Sequence, residues 1–399
     1  MAGSAPEGFA MAYRFLKRRG HWLLLPVCLA LLLGACALPA AAPVAGEQGI
    51  AGPGDGGAAS EFDRILACVE QNFPAEGYAT NEFLPEPDAA WEPMTCDGAD
   101  HVKVGMSWIL NDGAAPWYNA IELGFFSDLC LEVEVVKGGP DVDQVRRLAE
   151  GEVDFAVDAA GTGTPRTTAA SGQKDLVAVG TFLQHSPYVW LGIDHDTPRE
   201  QRSDKLLQPV DFADKRIAIY VGEQFLLEFL ANRYGLETEG ITLSAAAAVV
   251  DPLVAGEVDF TAAWIVNEPR ALEAQGYMNW VAFNFGDHGW DTYADVSVVR
   301  RETLEESPDL VRRYLAALGQ GVEYLLTNPE DSAEIALDYG VDAELTREQT
   351  LRRFELQRPL IEGSGDQPLG HMSPQRWNNQ VAAMIQYGLI EVPACAPAE

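Results

Sequence analysis

The sequence contains little positive charge. Only six of its 27 basic residues are lysines, and 60 acidic residues give a formal net charge of −33 at neutral pH. A surface this anionic repels nucleic acid and anionic lipid headgroups, which argues against a nucleic-acid-binding role. An acidic, lysine-poor composition is also typical of adaptation to a salty habitat, and composition alone does not separate that origin from a ligand requirement.

Signatures of catalysis and of metal binding are missing. The sequence has no Ser/His/Asp or Cys/His nucleophile pattern, no glycine-rich phosphate loop and no Cys/His spacing typical of zinc. We interpret the scattered histidines as surface or pocket groups: His101, His185, His195, His288 and His371. We therefore expect a protein that is not an enzyme and that uses neither a metal nor a cofactor.

The N-terminus has the pattern of an export signal. Basic residues up to Arg19 precede the apolar run 23–33, which is too short to span a bilayer comfortably as a helix. The Leu-Gly-Ala-Cys sequence at 33–36 resembles a bacterial lipoprotein cleavage box, with an ordinary secretory signal as the alternative. We predict a signal peptide over residues 1–35, lipidation of Cys36, and a flexible Ala/Gly/Pro-rich tether over 36–60. Acyl chains on Cys36 would anchor the exported protein to the cell membrane, facing the periplasm or the cell exterior.

From residue 101 onward, short apolar strands alternate with helices, a pattern typical of α/β proteins with largely parallel sheets. The pentapeptide GEVDF occurs twice, at 151–155 and 256–260. We interpret each copy as a helix-terminating glycine followed by a strand, although chance reuse of a good junction sequence is the alternative. The repeat predicts one lobe over 101–192 and 295–399 and another over 193–294, with a ligand cleft at the carboxyl ends of the strands. After about residue 295 we expect mostly helices, with start signals at 307–308, 328–329, 346–349 and 373–374.

Four cysteines follow the predicted lipidation site: Cys68, Cys96, Cys130 and Cys395. An even number in an exported protein predicts two disulfides, and three pairings are possible. We favour a bond between Cys68 and Cys96, which closes an N-terminal extension over 61–100. The second bond, between Cys130 and Cys395, then ties the C-terminus to the first lobe.

A series of motifs resembles the type 2 periplasmic binding proteins of the thiamine-pyrimidine, riboflavin, sulfonate and nitrate group. The motifs are Trp108, the aromatic pair at 117–118, Gly-Phe-Phe at 124–126, both GEVDF segments, and PVDFADKRIAIYVG at 209–222. The resemblance covers roughly residues 101–360 and implies a two-lobed clamshell with mixed, mostly parallel sheets. It also implies that the protein closes on a small molecule and delivers it to the permease of an ABC importer.

Within that group, residues 285–332 resemble the branch that binds pyrimidine precursors of thiamine or riboflavin. Here Asp287-His288-Gly289-Trp290 replaces the tyrosine-containing turn of the branch. Aromatic rings would stack on a flat heterocycle, while carboxylates would accept its N–H donors and repel sulfonate or nitrate. The candidate ligand-binding residues are Trp108, Asn111, Trp117, Asp158, Gln184, Tyr188, Glu223, Phe225, Trp264, Asn267, Asp287 and Trp290. Backbone N–H groups at 222–224, where a helix opens, would also suit an anion, which is the alternative ligand.

The resemblance, together with the N-terminal pattern, implies a monomeric, lipid-anchored substrate-binding protein of an ABC importer, with an aromatic nitrogen heterocycle as ligand and a permease as partner. A sulfonate-, taurine- or nitrate-binding protein of the same fold is the alternative. A ligand sensor would use the same cleft. An enzyme resembling the eukaryotic pyrimidine synthase belongs to another class, and the cysteine-rich motif of that synthase is missing from this sequence.

Overall fold

A computed structural model describes residues 61–73, 75–86, 91–139, 141–171, 176–220, 222–246, 249–340, 344–365 and 367–395. The predicted signal peptide, the tether and Cys36 lie outside the described residues, so the structure does not test them.

The strands of the described residues form two five-stranded sheets. They are β1 (Asp100–Gly105), β2 (Leu131–Val136), β3 (Phe155–Asp158), β4 (Leu176–Leu183), β5 (Tyr188–Ile193), β6 (Arg216–Ile219), β7 (Thr242–Ala245), β8 (Phe260–Trp264), β9 (Trp280–Asn284) and β10 (Ala294–Arg300). The first sheet has the order β2-β1-β3-β10-β4, and the second has the order β7-β6-β8-β5-β9. In each sheet three neighbouring strands are parallel and the fourth runs antiparallel to them. The mixed α/β fold agrees with the prediction.

The two sheets share one plan, and the repeated pentapeptide occupies the same place in both. Gly151 and Gly256 adopt left-handed φ angles of 78° and 69°, which the helix-terminating position requires. Phe155 and Phe260 then begin the central strands β3 and β8. The preceding aspartates, Asp154 and Asp259, each accept a backbone N–H from the neighbouring strand at 2.8 Å. GEVDF is therefore a structural junction that was used once in each sheet.

Helices cover both sheets, and several begin where the sequence predicted. They are α1 (Glu61–Asn72), α2 (Ala115–Glu122), α3 (Phe125–Asp128), α4 (Gln144–Ala149), α5 (Gly163–Ser171), α6 (Phe225–Tyr234), α7 (Asp251–Val254), α8 (Glu268–Ala274), α9 (Arg301–Glu306), α10 (Pro308–Thr327), α11 (Pro329–Tyr339), α12 (Arg347–Glu362) and α13 (Pro374–Gln386). Thr346 and Gln349 form a reciprocal capping box at the start of α12. None of the helices in the described ranges combines the length and the apolar character needed to cross a bilayer.

The chain passes between the sheets twice. Residues 184–187 join β4 to β5, and residues 285–293 return the chain from β9 to β10. The predicted boundary between residues 192 and 193 differs from this path, because β5 already pairs with β8 and β9 in the second sheet. The predicted helical region after residue 295 also begins with strand β10, whose buried valines lie between β3 and β4. We call the first sheet, with the helices packed on it, the first lobe. The second sheet and its helices form the second lobe.

The disulfide pairing that we favoured from the sequence is wrong. The bonds join Cys68 to Cys395 and Cys96 to Cys130, with Cα–Cα distances of 5.6 and 5.5 Å. Helix α1 packs against α13 and thereby brings Cys68 to the C-terminal segment. Cys96 and Cys130 precede the adjacent parallel strands β1 and β2, whose first residues are paired, so the two cysteines meet at the same sheet edge.

Candidate functional site

The carboxyl edges of the two sheets face each other. In the first sheet, β1, β2, β3 and β4 end at the edge where β10 begins, and in the second sheet β6, β7, β8 and β9 end where β5 begins. Only four residues separate the end of β4 from the start of β5, so these two edges are held close together. Open α/β sheets bind ligands outside the carboxyl ends of their strands, which makes this cleft the candidate site.

A tyrosine and a glutamate of the second lobe form the best-defined polar contact in the cleft. The Tyr188 hydroxyl, at the start of β5, donates to Glu223 Oε2 at 2.5 Å. The backbone N–H of Tyr220 donates to the same oxygen at 3.2 Å. Burial raises the pKa of Glu223 to about 7, although both hydrogen bonds oppose the rise. Glu223 therefore changes charge near neutral pH and offers a carboxyl group at the cleft.

Three aromatic side chains of the second lobe lie at the same edge. Trp264 ends β8 directly opposite Tyr188, and Tyr220 follows β6 with its ring centroid 6.4 Å from that of Tyr188. All three side chains are half-buried, so each keeps part of its ring accessible. From the first lobe, Trp108 follows β1 and is 40% exposed. Aromatic rings in such a position suit a flat, conjugated ligand.

Asp158 ends β3 and caps the following helix. Its carboxylate accepts N–H bonds from Gly163 at 3.2 Å and from Thr164 at 2.7 Å. Burial raises its pKa, and the hydrogen bonds from Thr164 and Gly163 partly offset that effect. The Asp158 carboxylate already accepts three hydrogen bonds in this capping role. It therefore has little remaining capacity to accept a hydrogen bond from a ligand. Arg166, on the same helix, is exposed and contributes positive charge to both Asp158 and Glu223.

Charged residues connect the lobes along one side of the cleft. Arg270 of α8 forms a bidentate ion pair with the buried Asp112 of the first lobe, with one N–O distance of 3.0 Å. Arg353 of α12 donates to the side chain of Asn267, which precedes α8. Asn267 therefore serves the contact between lobes, and its oxygen is already bonded by an arginine.

A second ion pair lies farther along the same two helices. Arg352 of α12 donates from Nε and Nη2 to the carboxylate of Glu273 on α8, at 2.9 and 3.0 Å. The Nε1 group of Trp280 also donates to Glu273 at 3.0 Å. These contacts hold α8 of the second lobe against α12 of the first lobe. The structure thus shows the two lobes in direct contact along this side of the cleft.

Two of the candidate aromatic residues, Trp117 and Trp290, pack in the interior instead of lining the cleft, and a third, Phe225, is half-buried against Trp290. Trp117 is 1% exposed and donates from Nε1 to the Tyr314 hydroxyl at 2.9 Å. Trp290 is 6% exposed, and its ring centroid lies 4.9 Å from that of Phe225. Their role in the structure is core packing, which is the usual role of large aromatic residues.

The other polar candidates make contacts outside the cluster of Tyr188, Glu223 and Trp264. Asn111 accepts the N–H of Gly113 at 2.8 Å and caps a short turn. Gln184 donates to the carbonyl of His371 at 3.0 Å and lines a separate cavity of about 390 Å³ beside the first crossover. Asp287 is exposed on the return crossover. The structure therefore groups Tyr188, Glu223 and Trp264 closely, and places Trp108 and Asp158 on the opposite edge.

Comparison with known proteins agrees with the two-lobed architecture. The model of the NMT1/THI5-like family matches residues 111–332, more than half of the chain. The chain belongs to this family. Among solved structures, the periplasmic aliphatic sulphonate binding protein SsuA from Escherichia coli superposes with a TM-score of 0.56 and 15% identity, covering 73% of this chain and 88% of SsuA. The fold is therefore that of the periplasmic binding proteins.

Among the relatives of this NMT1/THI5-like protein, two are named as binding proteins and one is named as a synthase. The riboflavin-binding protein RibY of Chloroflexus aurantiacus is 25% identical over 318 residues, which cover 77% of this chain and 86% of RibY. The formylaminopyrimidine-binding protein of Halalkalibacterium halodurans is 21% identical, with coverage of 75% and 89%. A 4-amino-5-hydroxymethyl-2-methylpyrimidine phosphate synthase of Legionella pneumophila is 23% identical, with coverage of 59% and 72%.

Sequence reasoning missed several cleft residues of this family member. Tyr220 stands inside the RIAIYVG motif, and its place at the end of a predicted strand was a usable signal. Asp295 lies in the Ala-Asp-Val sequence at 294–296, within the region 285–332 that resembles the pyrimidine-binding branch. It is the second residue of β10. No local pattern marks Arg270 and Arg353, because an arginine on a helix usually faces solvent. Their burial depends on the approach of the second lobe.

Proposed function

We propose that this protein is an extracytoplasmic substrate-binding protein of an ABC importer that captures an aromatic nitrogen heterocycle between its lobes. The observation that carries the proposal is the cluster formed by Tyr188, Tyr220, Trp264 and Glu223 at the carboxyl edge of the second sheet. The rings offer stacking surfaces, and the carboxyl group offers an acceptor to ring or exocyclic N–H donors. A thiamine pyrimidine precursor or riboflavin meets both requirements.

The excess of acidic groups favours such a ligand over an inorganic or sulfonate anion. Glu223, Asp158 and Asp295 all lie at the facing edges, and carboxylates repel anionic ligands. Arg166 is the exposed cation near them, and it favours an anion as the second candidate. The names of the relatives that bind riboflavin and formylaminopyrimidine support the first candidate.

Export, lipid anchoring and delivery complete the proposal. The sequence over residues 1–36 supports a signal peptide and a lipid anchor at Cys36. We infer that the anchored protein faces the periplasm or the cell exterior, acts as a monomer and docks on a membrane permease. Binding without catalysis is supported by the lack of a nucleophile signature, and the synthase named among the relatives defines the enzymatic alternative.

A thermal-shift screen of residues 37–399 tests the proposal. The probes are riboflavin, thiamine, 4-amino-5-hydroxymethyl-2-methylpyrimidine, taurine and nitrate. A ligand at a hundredfold its Kd adds about 2.7 kcal/mol to stability and raises Tm by a readily measured amount. We expect a shift with riboflavin or a pyrimidine and none with taurine or nitrate. Stabilisation by taurine or nitrate alone would contradict the heterocycle proposal.

Two variants locate the binding site. Trp264→Ala removes a ring at the cleft, and Tyr234→Ala removes an exposed ring at the far end of α6. We expect the ligand-induced shift, measured against each unliganded variant, to be lost in the first and kept in the second. Equal shifts in both would place the ligand elsewhere.

A further inference from the structure

Asp295 has an unusual backbone conformation at the first-lobe edge. It is the second residue of β10, and its φ angle of 47° lies in the left-handed region. Residues other than glycine rarely adopt this conformation, although aspartate and asparagine tolerate it best. Such conformations cluster at ligand clamps and other functional sites, where the surrounding structure imposes them. The backbone of Asp295 is held by a hydrogen bond from its N–H to the carbonyl of Ala159 at 3.2 Å.

The strand register makes Asp295 the first-lobe counterpart of Tyr188. Both central strands begin at the phenylalanine of GEVDF, so Asp158 of β3 corresponds to Ala263 of β8. Val296 lies opposite Asp158, and Val189 lies opposite Ala263. The residues immediately before these valines are Asp295 and Tyr188. They therefore occupy equivalent positions on the two edges that face each other across the cleft.

The carboxylate of Asp295 has no hydrogen-bond or ion-pair partner within the described part of the chain, and it remains partly accessible. The charges that face it come from Arg353 on α12 and Asp158 on β3. Arg353 forms its hydrogen bonds with other side chains. It donates to Asn267 and, from Nε, to Gln357 at 3.3 Å. Burial raises the pKa of Asp295 to about 6, Arg353 opposes that rise and Asp158 adds to it. The side chain is thus an acceptor that has no donor among the described residues.

We propose that Asp295 is a specificity-determining residue that accepts an N–H donor from the edge of the bound heterocycle, opposite the edge that Tyr188 and Glu223 contact. The inference rests on the proposed function and narrows its ligand class. The ligand must carry an N–H or amino group that points toward the first lobe. A ring whose corresponding position is alkylated or lacks the amino group binds more weakly, because it would leave the carboxylate desolvated and unpaired.

The test compares ligands that differ by one donor, in titration calorimetry with residues 37–399. One pair is riboflavin and 3-methylriboflavin, and the other is 4-amino-5-hydroxymethyl-2-methylpyrimidine and the same pyrimidine without its 4-amino group. For the pair that binds, we expect loss of the donor to weaken binding about 10- to 100-fold in the wild-type protein. This comparison needs no variant and is therefore independent of any folding defect.

Asp295→Asn supplies the second arm, because asparagine keeps the shape and accepts the left-handed backbone. We expect the variant to bind the donor-bearing ligand about 10- to 100-fold more weakly and to lose the discrimination between the two ligands of a pair. Asp214→Asn is the matched control, since Asp214 also has a left-handed φ, of 58°, but is exposed outside the cleft.

The outcomes separate the two proposals. If the wild-type protein binds a heterocycle but Asp295→Asn binds it equally well and discriminates equally, the role of Asp295 is refuted while the proposed function stands. If the wild-type protein binds none of the four ring compounds, both proposals fail. Loss of binding and of discrimination in Asp295→Asn alone, with Asp214→Asn unchanged, supports both.

Discussion

Glu223 should make the stability of the unliganded protein fall as the pH rises. Its folded-state pKa of about 7 lies above the ordinary value of 4.5, so the folded protein holds this proton more tightly than the unfolded chain does. The stabilisation is complete below about pH 4.5 and is lost as the pH rises through about 7. The whole shift corresponds to about 3 kcal/mol, and partial exposure of the side chain reduces the expected effect to about 1–2 kcal/mol.

Glu223→Gln removes this titration while keeping an oxygen that accepts from Tyr188. We expect the variant to gain about 1–2 kcal/mol relative to the wild-type protein between about pH 5 and about pH 8. Urea unfolding with both disulfides intact measures the difference at each pH. Glu228→Gln, an exposed glutamate on α6, the helix that begins two residues after Glu223, is the control and should show no such gain. A pH dependence in Glu223→Gln that matches the wild type within about 0.5 kcal/mol would refute the argument.

Three other changes test the packing around the cleft and the chain ends. Asp112→Asn should lower the free energy of unfolding by about 3–5 kcal/mol, because it leaves the buried Arg270 without its carboxylate; urea unfolding measures the loss. Replacing Cys68 and Cys395 by alanine should cost about 2–5 kcal/mol, and peptide mapping of the unreduced wild-type protein should recover the Cys68–Cys395 cross-link. Trp290→Ala should lower stability by about 3–5 kcal/mol because the ring is buried, and a normal Tm in that variant would contradict its core position.

Local sequence patterns were reliable where the structure depends on neighbouring residues. The glycines of GEVDF predicted both helix ends, and Thr346 with Gln349 predicted the start of α12. Strand β10 was missed because it lies between two central strands of the first sheet, within a region that otherwise forms helices. Its buried valines match a strand as well as a buried helix segment, and periodicity does not distinguish the two.

Assignments that depend on distant residues were less successful. Trp117 and Trp290 are of the residue type that stacks on flat ligands. An aromatic ring near a strand end packs equally well into a core, and both rings do so here. The disulfide partners of Cys68 and Cys96 were mispaired, because spacing along the chain does not tell which sheet edge or helix brings two cysteines together.

The sequence by itself determined the α/β class, the two similar lobes and the facing strand ends, since these follow from periodicity, helix-terminating glycines and a repeated junction. It also determined which residue types are available to a flat, donor-bearing ligand. Only the tertiary structure decided which of them meet: Tyr188 with Glu223, Arg270 with Asp112, and Asp295 opposite them without a partner in the described part of the chain. The physical reason is that hydrogen bonds and ion pairs act over a few ångströms, whereas these residues lie up to 158 positions apart in the chain and meet only through the relative placement of the two sheets.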